Sequence, residues 1–132
     1  MELFWWLPFG KVPEISPTEL DAMRKDGAAR PQIIDVRTCA EWRSGHIAGA
    51  IHVPITEFGS RIDSLQLDGT RPIVAICRSA HRSIPAVRLL QQHGFRNACQ
   101  LQGGMLAWRQ AELPVEGDDS SDPPMQPAKK AK

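Results

Sequence analysis

An α/β fold, with a mostly parallel sheet and helices on both faces, is the architecture this chain predicts, and three observations carry it. Residues 32–36 (QIIDV) and 73–76 (IVAI) are short apolar runs rich in β-branched side chains, as expected of strands buried on both faces. Two capping boxes, Ser16-Pro17-Thr18-Glu19 and Thr38-Cys39-Ala40-Glu41, mark helix starts, because the hydroxyl accepts from the backbone three residues on while the glutamate reaches back. From residue 32 onward strand and helix signals alternate, which argues for crossover connections and so for parallel strands.

Each element has its own local reason. Residues 12–15 (VPEI) read as a short edge strand, where the donor missing from Pro13 does little harm. Ser16 caps a helix with Pro17 at its first position and Leu20 and Met23 on its apolar face, and Gly27 is expected to stop it. After the strand at 32–36, the second capping box opens a short helix that carries Trp42 and ends near Gly45. Residues 50–53 predict a further short strand closed by Pro54, and residues 57–67 have helical spacing at Phe58, Ile62 and Leu65. Asp68-Gly69-Thr70 makes a turn into the strand at 73–76. Ser83-Ile84-Pro85 reads as a helix entrance, with serine as N-cap and proline inside the first turn; Ile84, Val87 and Leu90 follow, and Gly94 is the C-cap. Residues 98–101 predict the last strand. Gly103-Gly104 then turns the chain into a helix with Met105, Leu106 and Trp108, and residues 113–116 (LPVE) close the folded part.

With 132 residues, 42% of them hydrophobic, the chain has material for one core and not for two ordinary domains. Residues 12–116 are the expected domain. Residues 1–11 form an aromatic arm, and residues 117–132, rich in Asp, Ser, Pro and Lys without periodicity, read as a disordered tail. Sixteen basic and fifteen acidic side chains leave a net charge of +1, so bulk charge gives no support to nucleic acid as a partner. The run from Leu3 to Phe9 lacks a basic flank and falls well short of the roughly 18 apolar residues of a membrane span. It is expected to fold back over the domain, with a weak membrane or partner contact as the alternative. Three cysteines, at 39, 77 and 99, make neither a disulfide framework nor a metal-binding spacing, so reduced thiols in a cytoplasmic setting are expected, with a peripheral membrane position as the alternative, and no metal or other cofactor is expected.

Only one cysteine has a reactive context. Cys77 ends the apolar run 73–76 and is followed by Arg78, Ser79, Ala80, His81, Arg82 and Ser83, the last opening a helix. A sulfur at a strand's carboxyl end, facing a helix N-terminus, meets unpaired backbone N–H groups and the positive end of a helix dipole; Arg78 and Arg82 add charge. The loop is therefore an anion cradle that contains a nucleophile, in a setting that favours its ionised form. Cys39, in a capping segment, and Cys99, in an apolar strand, read as structural. His81 reads as an exposed loop residue, and His46 and His52 as makers of structural hydrogen bonds. Asp35, Arg37 and Glu41 are expected to brace the edge of the loop.

Three blocks in order resemble the rhodanese-like domains over nearly all of residues 12–116. Ile34-Asp35-Val36-Arg37, with Glu41-Trp42, Gly45-His46-Ile47, Gly49-Ala50 and Val53-Pro54, looks like the first signature of that family. Residues 77–83 match its active-site loop, and Gly103-Gly104, Trp108 and Leu113-Pro114-Val115 its closing signature. The resemblance implies a five-stranded parallel sheet and a sulfurtransferase in which Cys77 carries a persulfide. A thiolate at Cys77 would attack the outer sulfur of thiosulfate and release sulfite; a thiol, cyanide or a protein acceptor would then take the sulfur. Arg78 and Arg82 would balance the dianion, and Ser79 and Ser83 would add hydroxyl contacts. Asp35 and Arg37 would support the loop from behind. Phosphatases and arsenate reductases of related fold carry a loop one residue longer; the four residues between Cys77 and Arg82 favour sulfur transfer. A sulfur-carrier or regulatory binding module with little thiosulfate turnover is the alternative. Ala80 stands where many members have glycine, and in a left-handed conformation it costs on the order of 1 kcal/mol.

Overall fold

The structure, a computed structural model, describes residues 10–117. The expectations for the aromatic run from Leu3 to Phe9 and for nearly all of the tail lie outside the described residues. Five strands, β1 (Glu14–Ile15), β2 (Gln32–Asp35), β3 (Ile51–His52), β4 (Ile73–Ile76) and β5 (Ala98–Leu101), form one parallel sheet in the order β1-β5-β4-β2-β3. The helices are α1 (Pro17–Lys25), α2 (Cys39–Arg43), α3 (Ile55–Arg61), α4 (Ser83–Gln92) and α5 (Gly104–Gln110), with a short 3-10 turn at Ile62–Ser64.

The period-two geometry of a strand divides the core into two layers. Ile34, Ile73, Ala75, Cys77 and Ala98 face α3 and α4, packing against Phe58, Val87 and Leu90. Ile33, Val74, Ile76 and Leu101 face the other way, onto Leu20 of α1 and Met105 and Trp108 of α5. All four residues of β4 are buried, as its uninterrupted apolar run requires. Trp108 is fully buried and satisfies its ring nitrogen by donating to the carbonyl of Pro114 at 2.9 Å.

Both capping boxes form as expected, with Ser16 accepting from the N–H of Glu19 and Thr38 from that of Glu41. Several details differ from the expectation, the shorter β1 and β2 among them. α1 ends at Lys25, one residue before Asp26 takes an extended conformation, so Gly27 does not stop it. α3 begins at Ile55, directly after Pro54, and its last turn tightens to 3-10 rather than running on to residue 67. β3 is shorter than residues 50–53, as suits a strand at the sheet edge. Ser83 is the first helical residue of α4 and not its N-cap; Arg82 holds that position without a side-chain cap, and the Ser83 hydroxyl is turned inward. Gly94, at φ 93°, does close α4: its N–H reaches Gln91 O and that of Phe95 reaches Leu90 O, the paired bonds of a Schellman motif.

The topology decides where a ligand can bind. From β2 the chain moves outward to β3, and from β4 it moves the opposite way to β5. Right-handed crossovers then put the two connections on opposite faces, which opens a crevice beyond the carboxyl ends of β2 and β4. Arg37 and α2 follow β2 there, and Cys77 and its loop follow β4.

Candidate active site

Cys77 lies one residue beyond β4, 1% exposed, on the layer that faces α4. The chain then loops through residues 78–82 and enters α4, bringing the N–H of His81 to 3.1 Å from Sγ. The Ser83 hydroxyl lies 3.4 Å from the same sulfur. Among the described residues, the N–H groups of Ser79, Ala80 and Arg82 are paired with no acceptor, so the loop keeps donors available for an anion next to the sulfur. Ala80 is held at φ 71°. The conformation that suits glycine is thus adopted by alanine, and the loop carries that strain.

Three contacts hold the loop in place. Arg82 donates to Glu41 through both terminal nitrogens, at 2.7 and 2.8 Å, a planar fork-on-carboxylate pair. Hydrogen bonding from Arg82, with smaller help from Thr38, outweighs burial and pulls the Glu41 carboxyl down to about 2; the same pair raises Arg82. Glu41 meanwhile accepts from Thr38 as the third residue of its capping box, so one carboxylate ties the start of α2 to the loop. From the other side, the N–H groups of Met105 and Leu106 donate to the carbonyls of Cys77 and Arg78, at 2.8 and 3.0 Å. That approach requires Gly104: a Cβ there would lie 2.5 Å from each of those carbonyl oxygens, at a φ of 61°.

The remaining expected site residues sort themselves by position. Arg78 is exposed and lines a cleft of about 270 Å³ with Arg37, Glu41, Met105, Leu106 and Arg109. Ser79 meets His81 Nδ1 at 3.2 Å, and His81 is exposed. Arg82, read in the sequence as a ligand for a dianion, has its fork occupied by Glu41. Asp35 and Arg37 pair with each other in a buried, multiply bonded contact, and Arg37 adds a 2.7 Å bond to Gly45 O; they brace the turn after β2 and do not touch the sulfur. His52 bonds Arg37 O and His46 bonds Trp42 O, with both rings stacked on Trp42. Among the described residues no group of histidines, cysteines and carboxylates is arranged to hold a metal. Cys99 packs against the α1 and α5 layer, and burial, then the charge of Glu19, pushes its thiol up to about 11. Cys39 is exposed.

Two residues near the sulfur escaped the sequence reading. Gln100 of β5, 3% exposed, accepts from Ser83 Oγ at 2.6 Å and donates through Nε2 to Glu14 of β1 at 2.8 Å. Their signal was a polar side chain on the inward face of an apolar strand, two residues from Ala98, but only the β1–β5 register, which pairs Glu14 with Gln100, joins them.

The comparisons with known proteins fit this geometry. The chain is 41% identical over 106 residues to an HTH-type transcriptional regulator of Mycobacterium tuberculosis, an overlap that covers 79% of this chain and 46% of the regulator, so the chain spans about half of that relative. It is 32% identical over 101 residues to the thiosulfate sulfurtransferase GlpE of Pseudomonas fluorescens, covering 76% of this chain and 85% of that protein. The solution structure of a rhodanese-like domain from Anabaena superposes with a TM-score of 0.73 at 31% identity, covering 86% of each chain. The family model for the rhodanese-like domain matches residues 16–111, which include both capping boxes, the Cys77 loop and the Gly103-Gly104 turn. The chain belongs to the rhodanese-like domain family.

Proposed function

We propose that this protein is a sulfurtransferase that carries sulfane sulfur as a persulfide on Cys77, within a folded unit spanning residues 12–116. The observation that carries the reading is the buried sulfur of Cys77 at the start of a loop that brings the N–H of His81 to 3.1 Å from it, while among the described residues the N–H groups of Ser79, Ala80 and Arg82 are paired with no acceptor. Thiosulfate is the donor this arrangement suits. The Cys77 thiolate attacks the outer sulfur, the S–S bond of thiosulfate breaks, and sulfite leaves with the electron pair. The N–H groups of Ser79 and Ala80, free among the described residues, stabilise the negative charge that passes through the loop, and Arg78, the loop arginine with no acidic partner among the described residues, attracts and orients the dianion. Arg82 and Glu41 set the shape of the loop, and Asp35 with Arg37 supports its edge. A thiol, cyanide or a protein acceptor then removes the outer sulfur. No helix among the described residues is long and apolar enough to cross a membrane; three free cysteines agree with a reducing, cytoplasmic setting.

Incubation with thiosulfate should add one sulfur to the intact mass, removable by reductant, and thiocyanate should form when cyanide follows; Cys77→Ala should do neither. Equal, slow thiocyanate formation by both proteins would defeat the reading. A second reading, a sulfur-responsive regulatory module with little turnover, is favoured by the likeness to a transcriptional regulator of which this chain spans 46%. It predicts sulfur loading without appreciable thiocyanate production.

A further inference from the structure

The buried hydrogen bonds behind Cys77 have a direction. A carboxylate accepts and does not donate, so Glu14 Oε2, 2.8 Å from Gln100, must face the NH2 end of that amide. This fixes the flip of Gln100 and turns Oε1 toward Ser83. The Ser83 hydroxyl has a single hydrogen, and at 2.6 Å from Oε1 that hydrogen belongs to Gln100. What Ser83 then presents to Sγ, 3.4 Å away, is a lone pair. A lone pair complements an S–H group and repels a thiolate.

We propose, resting on the sulfurtransferase reading, that Gln100, oriented by Glu14, is a positioning residue that acts through Ser83 to favour the states of Cys77 that carry no charge on Sγ, the thiol and the persulfide with its charge on the outer sulfur, over the free thiolate. For Ser83 to donate to a thiolate, its hydrogen must leave Gln100. The amide oxygen, 3% exposed as a residue, then loses its donor where water does not replace it. In the off-loading step an acceptor thiolate attacks the outer sulfur, the S–S bond breaks, and the electron pair leaves on Cys77 Sγ while the acceptor keeps the outer sulfur. That step ends on the form Gln100 disfavours. The pair therefore holds sulfur on the protein and slows its release, a property suited to a carrier that waits for a particular acceptor. The other charged groups of the site are Arg78, His81 and Arg82 in the loop, Glu41 against Arg82, the Asp35–Arg37 pair, and Arg109 beside Arg37. Substituting Gln100 leaves all of them in place.

The test is iodoacetamide alkylation of Cys77 in the full chain across pH, read by peptide mass, with a thermal melt of each variant to verify folding. Gln100→Leu frees the Ser83 hydrogen for sulfur, so half-maximal alkylation should move to lower pH and the rate at pH 7 should rise about three- to tenfold. Glu14→Leu, at an exposed position, lets the amide flip and donate to Ser83, and should move the profile in the same direction. In a Ser83→Ala background neither substitution should have any effect. An unchanged profile for Gln100→Leu overturns the proposal, and so does a Glu14→Leu shift that survives Ser83→Ala, which would be direct charge removal. A parent protein that gains no sulfur from thiosulfate overturns the sulfur-transfer reading and the off-loading consequence, whereas the alkylation series by itself decides the role of Gln100.

Discussion

Cys99 lies within β5 and Cys77 just past the end of its parallel neighbour β4, and nearly everything about them differs. Cys99 is paired in register with Val74 in the middle of β4, and its side chain enters the apolar layer under α1 and α5. There burial pushes its thiol up to about 11. Cys77 is the more buried of the two, yet it lies past the strand's end, where the loop into α4 points an N–H at its sulfur. Burial alone does not decide whether a sulfur is inert. What decides is whether the low-dielectric pocket also supplies oriented donors, and in a parallel sheet those occur where helix N-termini face the carboxyl ends of strands.

The largest expected break in this contrast is loss of the sulfur itself. Cys77→Ala should abolish thiocyanate formation from thiosulfate and cyanide, while Cys99→Ala retains it; peptide mapping after iodoacetamide at neutral pH should find Cys99 unmodified until the solution is strongly alkaline. Next comes the backbone clamp that only Cys77 has. Gly104→Ala drives a methyl into the carbonyls of Cys77 and Arg78 at a positive φ, which should cost about 2–4 kcal/mol in urea denaturation and lower the sulfur-loading rate.

A third effect depends on pH. Because the Glu41 carboxyl is held at about 2 when folded, against an ordinary value of 4.5, its pairing with Arg82 contributes full stability above that ordinary value. The contribution shrinks as pH falls from there and is gone below the folded value. Glu41→Gln should therefore be less stable than the parent at pH 7 and converge with it toward pH 2, as denaturation midpoints across that range would show. The smallest effect is relief of loop strain: Ala80→Gly removes the cost of φ 71° and, after the extra freedom glycine gives the unfolded chain, should stabilise by about 0.5–1 kcal/mol in a thermal melt.

Local chemistry made much of this molecule legible from its residues in order. Capping boxes act within four residues, so the starts of α1 and α2 were readable; β4 was readable because a buried parallel strand must be apolar on both faces. Cys77 followed from the same reasoning, since a strand that runs into a helix entrance puts its last residue in a known field. Long-range pairing was not readable. Nothing local says that Glu41 would take the Arg82 fork 41 residues away, that Gly104 must be bare because two carbonyls of the loop lie against it, or that Gln100 would reach both Ser83 and Glu14, 17 and 86 residues distant. Ser83 shows the boundary most clearly. Its local preference is to cap a helix by accepting from backbone N–H groups, which exposed to solvent can pair with water instead, but a buried amide oxygen next door needs its hydroxyl as a donor, and the tertiary partner wins.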